Sequence, residues 1–232
     1  MENAVIVVQA RMTSTRLPGK VLRPVNGKPM LAYTLERLAN VSGSPNVVVA
    51  TSNDPSDDGI VDFCNASGIP CHRGPLTDVA ERYLQLIAAL EPSCFVRICG
   101  DSPLIDQAIV SRALEVFDLE SPDLVTNVMP RTFPKGQSVE VVRSGAFRKM
   151  CASLDNDSDR EHVTQCFYQN PDKWSVVNIA NGNDVSDVNL SVDTLDDFVS
   201  FSSLIMSMSE PHWTYGLDEI LALSRILCAD KS

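Results

Sequence analysis

Short apolar runs alternate with longer amphipathic runs from the start of the chain to Val128. The apolar runs are typical of buried strands and predict strands over 4–8, 46–51, 69–72, 94–101 and 123–128. Between them, apolar residues recur at helical spacing and predict helices over 30–40, 57–68, 77–90 and 106–117. Gly68 is suited to end the second helix, and Thr77 or Asp78 to cap the third. This alternation predicts an α/β fold, with a mostly parallel sheet flanked by helices on both faces.

The pattern changes after Val128, where strands and helices no longer alternate regularly. Apolar runs predict three more strands, over 138–142, 174–180 and 188–192. Amphipathic spacing predicts four more helices, near 144–153, 159–169, 195–208 and 216–229. We interpret residues 1–232 as a single domain that carries an inserted α+β segment over roughly 129–187.

Charge is distributed unevenly along this acidic chain. The 232 residues carry a formal charge of −11, yet residues 1–35 hold five cations and one acid. That leaves 14 of the 19 cations and 29 of the 30 acids for the rest of the chain. Binding to nucleic acid needs a broad basic face, so no nucleic-acid partner is expected. A local basic stretch in an acidic protein instead favours a site for a small anion.

Hydropathy and cysteine spacing narrow the class of protein. No apolar run reaches the roughly 18 residues that a membrane-spanning helix needs, so no membrane partner is expected. The seven cysteines include no C-x-x-C pair, which argues against a zinc ribbon or a redox motif. We therefore expect a cytoplasmic protein with reduced thiols. The dinucleotide fingerprint G-x-G-x-x-G and the P-loop motif are both absent.

The cations of the first segment lie in a loop that directly follows the first predicted strand. Arg11, Arg16 and Lys20 are spaced five and four residues apart, and Gly19 allows a tight turn before Lys20. Ligands of open α/β sheets collect at the carboxyl ends of strands. Cations and the free backbone N–H groups of 13–15 could cradle a polyphosphate there. The alternative, a solvated loop whose cations balance nearby acids, explains the pattern poorly because the loop has no acids.

Two carboxylates stand at the ends of apolar runs. Asp101 follows Gly100 after the fourth predicted strand, and Asp193 follows the run 188–192. Mg²⁺ typically takes one or two carboxylates together with phosphate oxygens, so this pair could share one ion. The alternative is that each aspartate only caps the helix that follows it. The basic loop nearby favours the metal interpretation.

Six sequence blocks resemble the sugar-activating cytidylyltransferases, a family that includes CMP-KDO synthetase and acylneuraminate cytidylyltransferase. Within that family they resemble the branch named after a spore-coat polysaccharide biosynthesis protein. The blocks follow one another in the same order as in that branch and cover most of the chain. They read VQARMTSTRLPGKVL (8–22), HRGPLTDVAERY (72–83), VRICGDSPLID (96–106), RTFPKGQSVEV (131–141), REHVT (160–164) and VDTLDDF (192–198).

The resemblance implies a GT-A-like (Rossmann-like) nucleotidyltransferase fold and roles for several of the matched residues. Nucleotide binding falls to Ala10, Arg11, Ser14, Arg16, Lys20, Arg73, Asp78, Arg82 and Asp101. Among these, the residues implied to be catalytic are Arg11, Arg16, Lys20 and Asp101. Asp101 and Asp193 would bind Mg²⁺, and the acceptor would be held by Arg131, Lys135, Glu140 and Arg160. We interpret His162, in the same blocks, as a structural histidine.

The implied reaction is Mg²⁺-dependent transfer of CMP from CTP to a sugar acid or a phosphorylated acceptor. Pyrophosphate would be released, and the product would serve the synthesis of surface polysaccharides or glycoconjugates. The resemblance also implies a homodimer formed through the inserted segment. Two alternatives remain open: a GT-A glycosyltransferase that uses a nucleotide sugar, and a non-catalytic nucleotide-binding protein. Glycosyltransferases of this fold bind metal through D-x-D at a strand end, whereas D-x-D occurs here only within 155–159.

Overall fold

A computed structural model describes residues 3–43, 45–154 and 156–229. In these ranges the strands are β1 (Ala4–Gln9), β2 (Pro24–Val25), β3 (Lys28–Pro29), β4 (Asn46–Ser52), β5 (Cys71–Gly74), β6 (Cys94–Cys99), β7 (Leu124–Thr126), β8 (Glu140–Arg143) and β9 (Val176–Asn178). The α-helices are α1 (Met30–Leu38), α2 (Asp58–Ser67), α3 (Val79–Leu90), α4 (Gln107–Glu120), α5 (Ser144–Cys151), α6 (Asp157–Glu161), α7 (Gln165–Gln169), α8 (Leu195–Ser207) and α9 (Leu217–Ala229).

Seven strands form one central sheet, in the order β5-β4-β1-β6-β8-β7-β9. Neighbouring strands run parallel except where β8 lies antiparallel between β6 and β7. The short strands β2 and β3 form a separate hairpin. The mostly parallel sheet predicted from the sequence is therefore confirmed. Within the predicted insertion, β8 and β9 extend this same sheet, and α5 and α7 pack against it.

Helices cover both faces of the sheet, because its strands are apolar on both sides. On one face, buried side chains of α1, α2, α4, α8 and α9 pack against alternate residues such as Ile6 and Val8. On the other face, α3, α5 and α7 pack against the intervening residues, such as Val5 and Val7. Because β1, β4, β5 and β6 run parallel, their carboxyl ends lie at one edge of the sheet.

The predicted helix boundaries are confirmed where capping residues set them. Asp78 caps α3 by accepting from the Glu81 N–H at 2.8 Å, and Asp106 caps α4 in the same way from Ala108. Gly68 ends α2 in the left-handed region that glycine favours, at φ 67°. No helix in the described ranges combines the length and hydropathy that crossing a bilayer requires.

Three predicted elements differ most from the structure, while others, such as the strands predicted over 123–128 and 174–180, are only shorter than predicted. The run 188–192 is not a strand: it makes one isolated bridge, from Asn189 to Lys135, before the chain turns toward Asp193. The helix predicted near 159–169 is interrupted between α6 and α7, where Val163 is buried and the Thr164 hydroxyl bonds to Glu140. β5 begins at Cys71, later than predicted, because the Ile69 N–H still bonds to the end of α2 at Cys64. Asp155, in the D-x-D run, lies outside the described residues.

Candidate active site

The basic loop folds back on itself after β1 and returns Lys20 to the carboxyl edge of the sheet. The Gly19 N–H donates to the Met12 carbonyl at 2.9 Å, and Gly19 adopts φ 70°. A residue with a side chain is strained at that angle, so glycine suits the turn. Residues Lys20–Leu22 then form a short 3₁₀ turn, with Lys20 buried. The tight turn predicted at Gly19 is present and directs Lys20 inward.

Lys20 lies at the centre of the site and joins both predicted metal ligands. Its Nζ donates to Asp193 Oδ1 at 2.8 Å, to Asp101 Oδ2 at 3.2 Å and to the Val192 carbonyl at 2.7 Å. The Lys20 side chain is 8% exposed, while the two aspartates are each close to a third exposed. All three Nζ hydrogens therefore have acceptors, and the carboxylates remain open to a ligand.

Asp101 and Asp193 come together although they are far apart in the chain. The Val192 N–H donates to the Asp101 carbonyl at 2.9 Å, which fixes the two segments side by side. Gly100 permits the close approach of β6 to β1, since a Cβ there would lie 3.0 Å from the Gln9 carbonyl. Asp193 thus reaches the site although the strand predicted before it does not form.

Arg11 and Arg16 extend from the same loop toward solvent. Arg16 Nη2 lies 3.0 Å from Asp193 Oδ2, and its side chain is 64% exposed. Arg11 Nη1 lies 3.8 Å from Glu161 Oε1 in α6, with both side chains about half exposed. Exposed pairs of this kind contribute roughly 0–1 kcal/mol, so both guanidinium groups could exchange a carboxylate for a phosphate at small cost.

A cavity of about 260 Å³ lies between the loop and the strand ends. Its wall includes seven residues that the sequence singled out: Ala10, Arg11, Ser14, Arg16, Lys20, Asp101 and Asp193. Gln9 and Cys99 also line it and were not predicted. Burial raises the pKa of the Cys99 thiol to about 11, so this thiol is protonated at neutral pH. The cavity thus brings cations and carboxylates together at the carboxyl edge of the sheet.

The two carboxylates fit a hydrated divalent ion. Asp101 Oδ2 and Asp193 Oδ1 are close neighbours, since both accept from the same Lys20 Nζ, at 3.2 and 2.8 Å. One or two carboxylates, with water and phosphate oxygens, form the usual protein site for Mg²⁺. Across the described residues, no cluster of three or more His, Cys, Asp or Glu side chains could hold a metal. The two carboxylates would therefore leave coordination positions that water and the phosphate oxygens of a substrate could fill.

Arg73, Asp78 and Arg82 lie near β5 and α3, outside the wall of this cavity. Arg73 bonds to the Ser52 and Asp54 carbonyls and to the Asp58 carboxylate, at 2.8–2.9 Å. Asp78 pairs with Arg160 at 2.7 Å. Arg82 is 1% exposed and donates to the carbonyls of residues 75 and 76, but its Nη1 has no partner among the described residues. Their roles in nucleotide binding remain predictions.

The four residues predicted to hold the acceptor do not form a single cluster. Arg131 donates to Ser138 Oγ at 3.1 Å, Lys135 is exposed, and Arg160 pairs with Asp78. Glu140 is buried, at 5% exposed, and bonds to other side chains inside the protein. None of the four lines the cavity, and their binding roles stay predictions. His162 is exposed beyond the end of α6.

Asp57 is a site residue that sequence reasoning missed. It is fully buried, and its Oδ1 accepts from the Met12 N–H at 2.7 Å, which anchors the basic loop. Its Oδ2 accepts from the Ser52 N–H at 3.1 Å and from the Ser52 hydroxyl at 2.5 Å. In the sequence, Asp57 reads only as one of several acids before α2. Arg97 was also missed, although a charge inside the apolar run CFVRIC was a usable signal.

The Asp57→Asn variant is expected to lower the free energy of unfolding by about 1–3 kcal/mol, because a buried amide would face donors that need an acceptor. Denaturant unfolding measures the loss. The matched control is Asp62→Asn, an exposed acid on α2 that should unfold like the parent. Equal stability of both variants would contradict an anchoring role for Asp57 at Met12.

Comparison with known proteins identifies the family. A family model described as "Cytidylyltransferase" matches residues 5–202. The chain belongs to the cytidylyltransferase family. This cytidylyltransferase is 28% identical to the spore coat polysaccharide biosynthesis protein SpsF of Bacillus subtilis, over 90% of this chain and 89% of that protein. The resemblance found in the sequence blocks is confirmed, and the protein is a nucleotidyltransferase.

Solved structures agree with the fold of this cytidylyltransferase. A cytidylyltransferase from Leptospira borgpetersenii serovar Hardjo-bovis superposes with a TM-score of 0.91 at 28% identity. The match covers 100% of this chain and 96% of that one. CMP:2-keto-3-deoxy-manno-octonic acid synthetase in complex with CTP gives a TM-score of 0.66 at 20% identity, over 88% and 99%. This second likeness shows the fold alone, and the predicted fold class is confirmed.

Proposed function

We propose that this cytidylyltransferase transfers CMP from CTP to a sugar acid or a related acceptor, with Mg²⁺ as cofactor. The observation that carries the proposal is that Lys20, Asp101 and Asp193 meet in the wall of the cavity beside the basic loop. The CTP complex of the synthetase with the same fold supports CTP as the donor. The likeness to SpsF supports a place in polysaccharide precursor synthesis.

In the proposed reaction, an acceptor oxygen bonds to the α-phosphorus of CTP. The bond from that phosphorus to the bridging oxygen breaks, pyrophosphate leaves with the bonding electrons, and the acceptor proton passes to solvent. Positioning and charge stabilisation account for most of the catalysis in phosphoryl-type transfers. Arg11 and Arg16 would hold the triphosphate, and Lys20 would exchange one of its carboxylate acceptors for a phosphate oxygen. Together they would stabilise the charge that grows on the leaving group.

Asp101 and Asp193 are the residues that would hold Mg²⁺. When bound, the ion would neutralise charge on phosphate oxygens and orient them. The aspartates are partly exposed and line the cavity, so phosphate could approach them from that side. Lys20 also limits the negative charge of the pair before substrate arrives.

A pyrophosphate-release assay tests the proposal. With CTP, Mg²⁺ and a panel of sugar acids and sugar phosphates, we expect release only when an acceptor is present. EDTA should abolish release and added Mg²⁺ should restore it, while ATP, GTP and UTP should react at least roughly 10-fold more slowly, the scale of a 1.4 kcal/mol difference in binding. Equal use of all four triphosphates would refute the CTP assignment. Sugar transfer from a ready-made nucleotide sugar would instead favour the glycosyltransferase alternative.

Location and assembly are secondary parts of the proposal. A cytoplasmic site of action is supported by cysteines 64, 71, 94, 99, 151 and 166, which form no disulfide bonds. A homodimer formed through 129–187 gains little support from the surface of that segment. Of the exposed large apolar side chains in the described residues, only Met129 lies there, whereas Leu195, Val199 and Met206 lie on α8.

A further inference from the structure

A row of polar side chains crosses the sheet at the level of Arg97, two residues before the cavity-lining Cys99 on β6. Arg97 on β6 pairs in register with Glu140 on β8, and Glu140 pairs with Thr126 on β7. All three point to the face covered by α3, α5 and α7, as do Gln9 and Cys99 at the cavity wall. Charged residues are rare inside apolar strands, so this row needs an explanation beyond packing.

Glu140 is fully occupied inside the protein. Its Oε2 accepts from Arg97 Nη1 at 2.6 Å, and its Oε1 accepts from the Thr164 hydroxyl at 2.7 Å and from the Tyr168 hydroxyl. With its oxygens engaged and its side chain 7% exposed, Glu140 is poorly placed to contact an acceptor directly. Its contacts instead hold the Arg97 guanidinium in one orientation and tie α7 to the sheet.

Arg97 keeps part of its guanidinium unused. Its Nε makes a long hydrogen bond of 3.4 Å to Gln9 Oε1, and its Nη2 bonds to no described residue. Nη2 is not sealed inside the protein as Arg82 Nη1 is, and the Arg97 side chain is 18% exposed. Burial disfavours its charge, yet the pKa of Arg97 is raised overall, and attraction to the Glu140 carboxylate is the leading cause of the rise. A charged, oriented and partly exposed donor therefore lies next to Gln9 and Cys99, which line the cavity although Arg97 itself does not.

We propose that Arg97 binds the carboxylate of the acceptor, and that Glu140 and Gln9 are positioning residues for its guanidinium. This inference rests on the proposed function, since it assigns the acceptor class and the residue that selects it. The planar guanidinium matches the geometry of a carboxylate. Glu140 already neutralises Arg97, so a carboxylate with one charge fits better than a phosphate with about two.

Binding of acceptors is the direct test. Calorimetry in the presence of a non-hydrolysable CTP analogue would compare a sugar-acid panel (2-keto-3-deoxy-manno-octonic, N-acetylneuraminic and glucuronic acids) with the corresponding carboxamides and with mannose 1-phosphate. We expect at least one acid to bind, and to bind roughly 10–100-fold more tightly than its carboxamide, the scale of a hydrogen bond to a charged group. The inference is overturned if the phosphate binds more tightly than the acids. It is also overturned if no acid binds while the CTP analogue does.

Variants locate the effect at Arg97. Arg97→Lys should raise the acceptor Kd and KM roughly 10-fold or more, because one donor direction is lost. The paired change Arg97→Gln with Glu140→Gln leaves no stranded carboxylate and should bind acid and carboxamide equally. Glu140→Gln alone should raise the acceptor KM less than Arg97→Lys does. In all variants the Kd of the CTP analogue should stay within about twofold, because Arg97 lies beyond the triphosphate loop.

The matched control is Arg143→Lys. Arg143 lies on β8, at the opposite end from Glu140, and its guanidinium donates to the Pro122 carbonyl and stacks on Phe117. The control should leave the acceptor KM unchanged. An unchanged acceptor KM in Arg97→Lys would refute the assignment. Failure of the proposed function would look different, since the analogue would then not bind, or pyrophosphate would not be released with any acceptor in the panel.

Discussion

The Asp101→Asn variant is expected to lose pyrophosphate release by roughly 10³-fold or more while it keeps its fold, because losing a preorganised charge or a metal ligand removes several kcal/mol of transition-state stabilisation. Asparagine has the shape of aspartate, so Gly100 and the strand end need not move. Lys20 Nζ keeps two of its three acceptors, Asp193 and the Val192 carbonyl. The variant therefore tests charge at this position rather than packing.

Two measurements separate the catalytic effect from a structural one. The unfolding free energy should change by about 1 kcal/mol or less, as is usual for a partly exposed ion pair. Stabilisation of the protein by Mg²⁺ in a thermal melt should weaken, which reports on the metal without turnover. Asp172→Asn, an exposed acid in a loop, is the matched control and should behave like the parent protein. Turnover near that of the parent protein would show that the charge of Asp101 has no role in the reaction.

The position of the site could be predicted because it follows from strand direction. Parallel strands end at the same edge of a sheet, so the loop after β1 and the aspartate after β6 were expected at one edge. The register confirms this, with Gln9 opposite Cys99 on adjacent strands. Strong local patterns, such as the cap of α3 at Asp78, were predictable for the same reason: one residue and its nearest neighbours determine them.

Asp193 was predicted to be in the site partly because a strand was expected to end there, and that strand does not form. Apolar residues over 188–192 indicated a strand, but only an isolated bridge to Lys135 forms. The segment is held instead by the Val192 N–H on the Asp101 carbonyl and by Lys20 on the Val192 carbonyl. These are tertiary contacts between segments that lie far apart in the chain, and no local pattern in the sequence reports them.

Buried polar pairs were the hardest features to predict. Arg97 and Glu140 each stand in an apolar run, but their pairing depends on β8 entering the sheet antiparallel beside β6. Asp57 anchors the basic loop from a different part of the chain, through the Met12 backbone N–H. Backbone partners leave no trace in side-chain spacing, so the sequence could indicate the cations of the loop but not the residue that positions them.

The second large effect is expected for Lys20→Met, which should lower kcat roughly 10²–10³-fold, the scale on which a preorganised charge stabiliser acts. Methionine keeps most of the length and apolar stem of lysine, so the 8%-exposed side chain can be replaced with little change in volume. Lys149→Met, at an exposed position on α5, is the matched control and should leave kcat unchanged.

A second readout of Lys20→Met does not depend on turnover. In the parent protein Lys20 already neutralises part of the charge of Asp101 and Asp193, so it competes with a divalent ion for the same oxygens. Without the lysine, the two carboxylates repel each other, because the nitrogen that they share at 3.2 and 2.8 Å is gone. Mg²⁺ should therefore raise the Tm of Lys20→Met more than that of the parent protein. An equal rise in both would mean that lysine and metal do not share these ligands, and an unchanged kcat would place Lys20 outside the reaction.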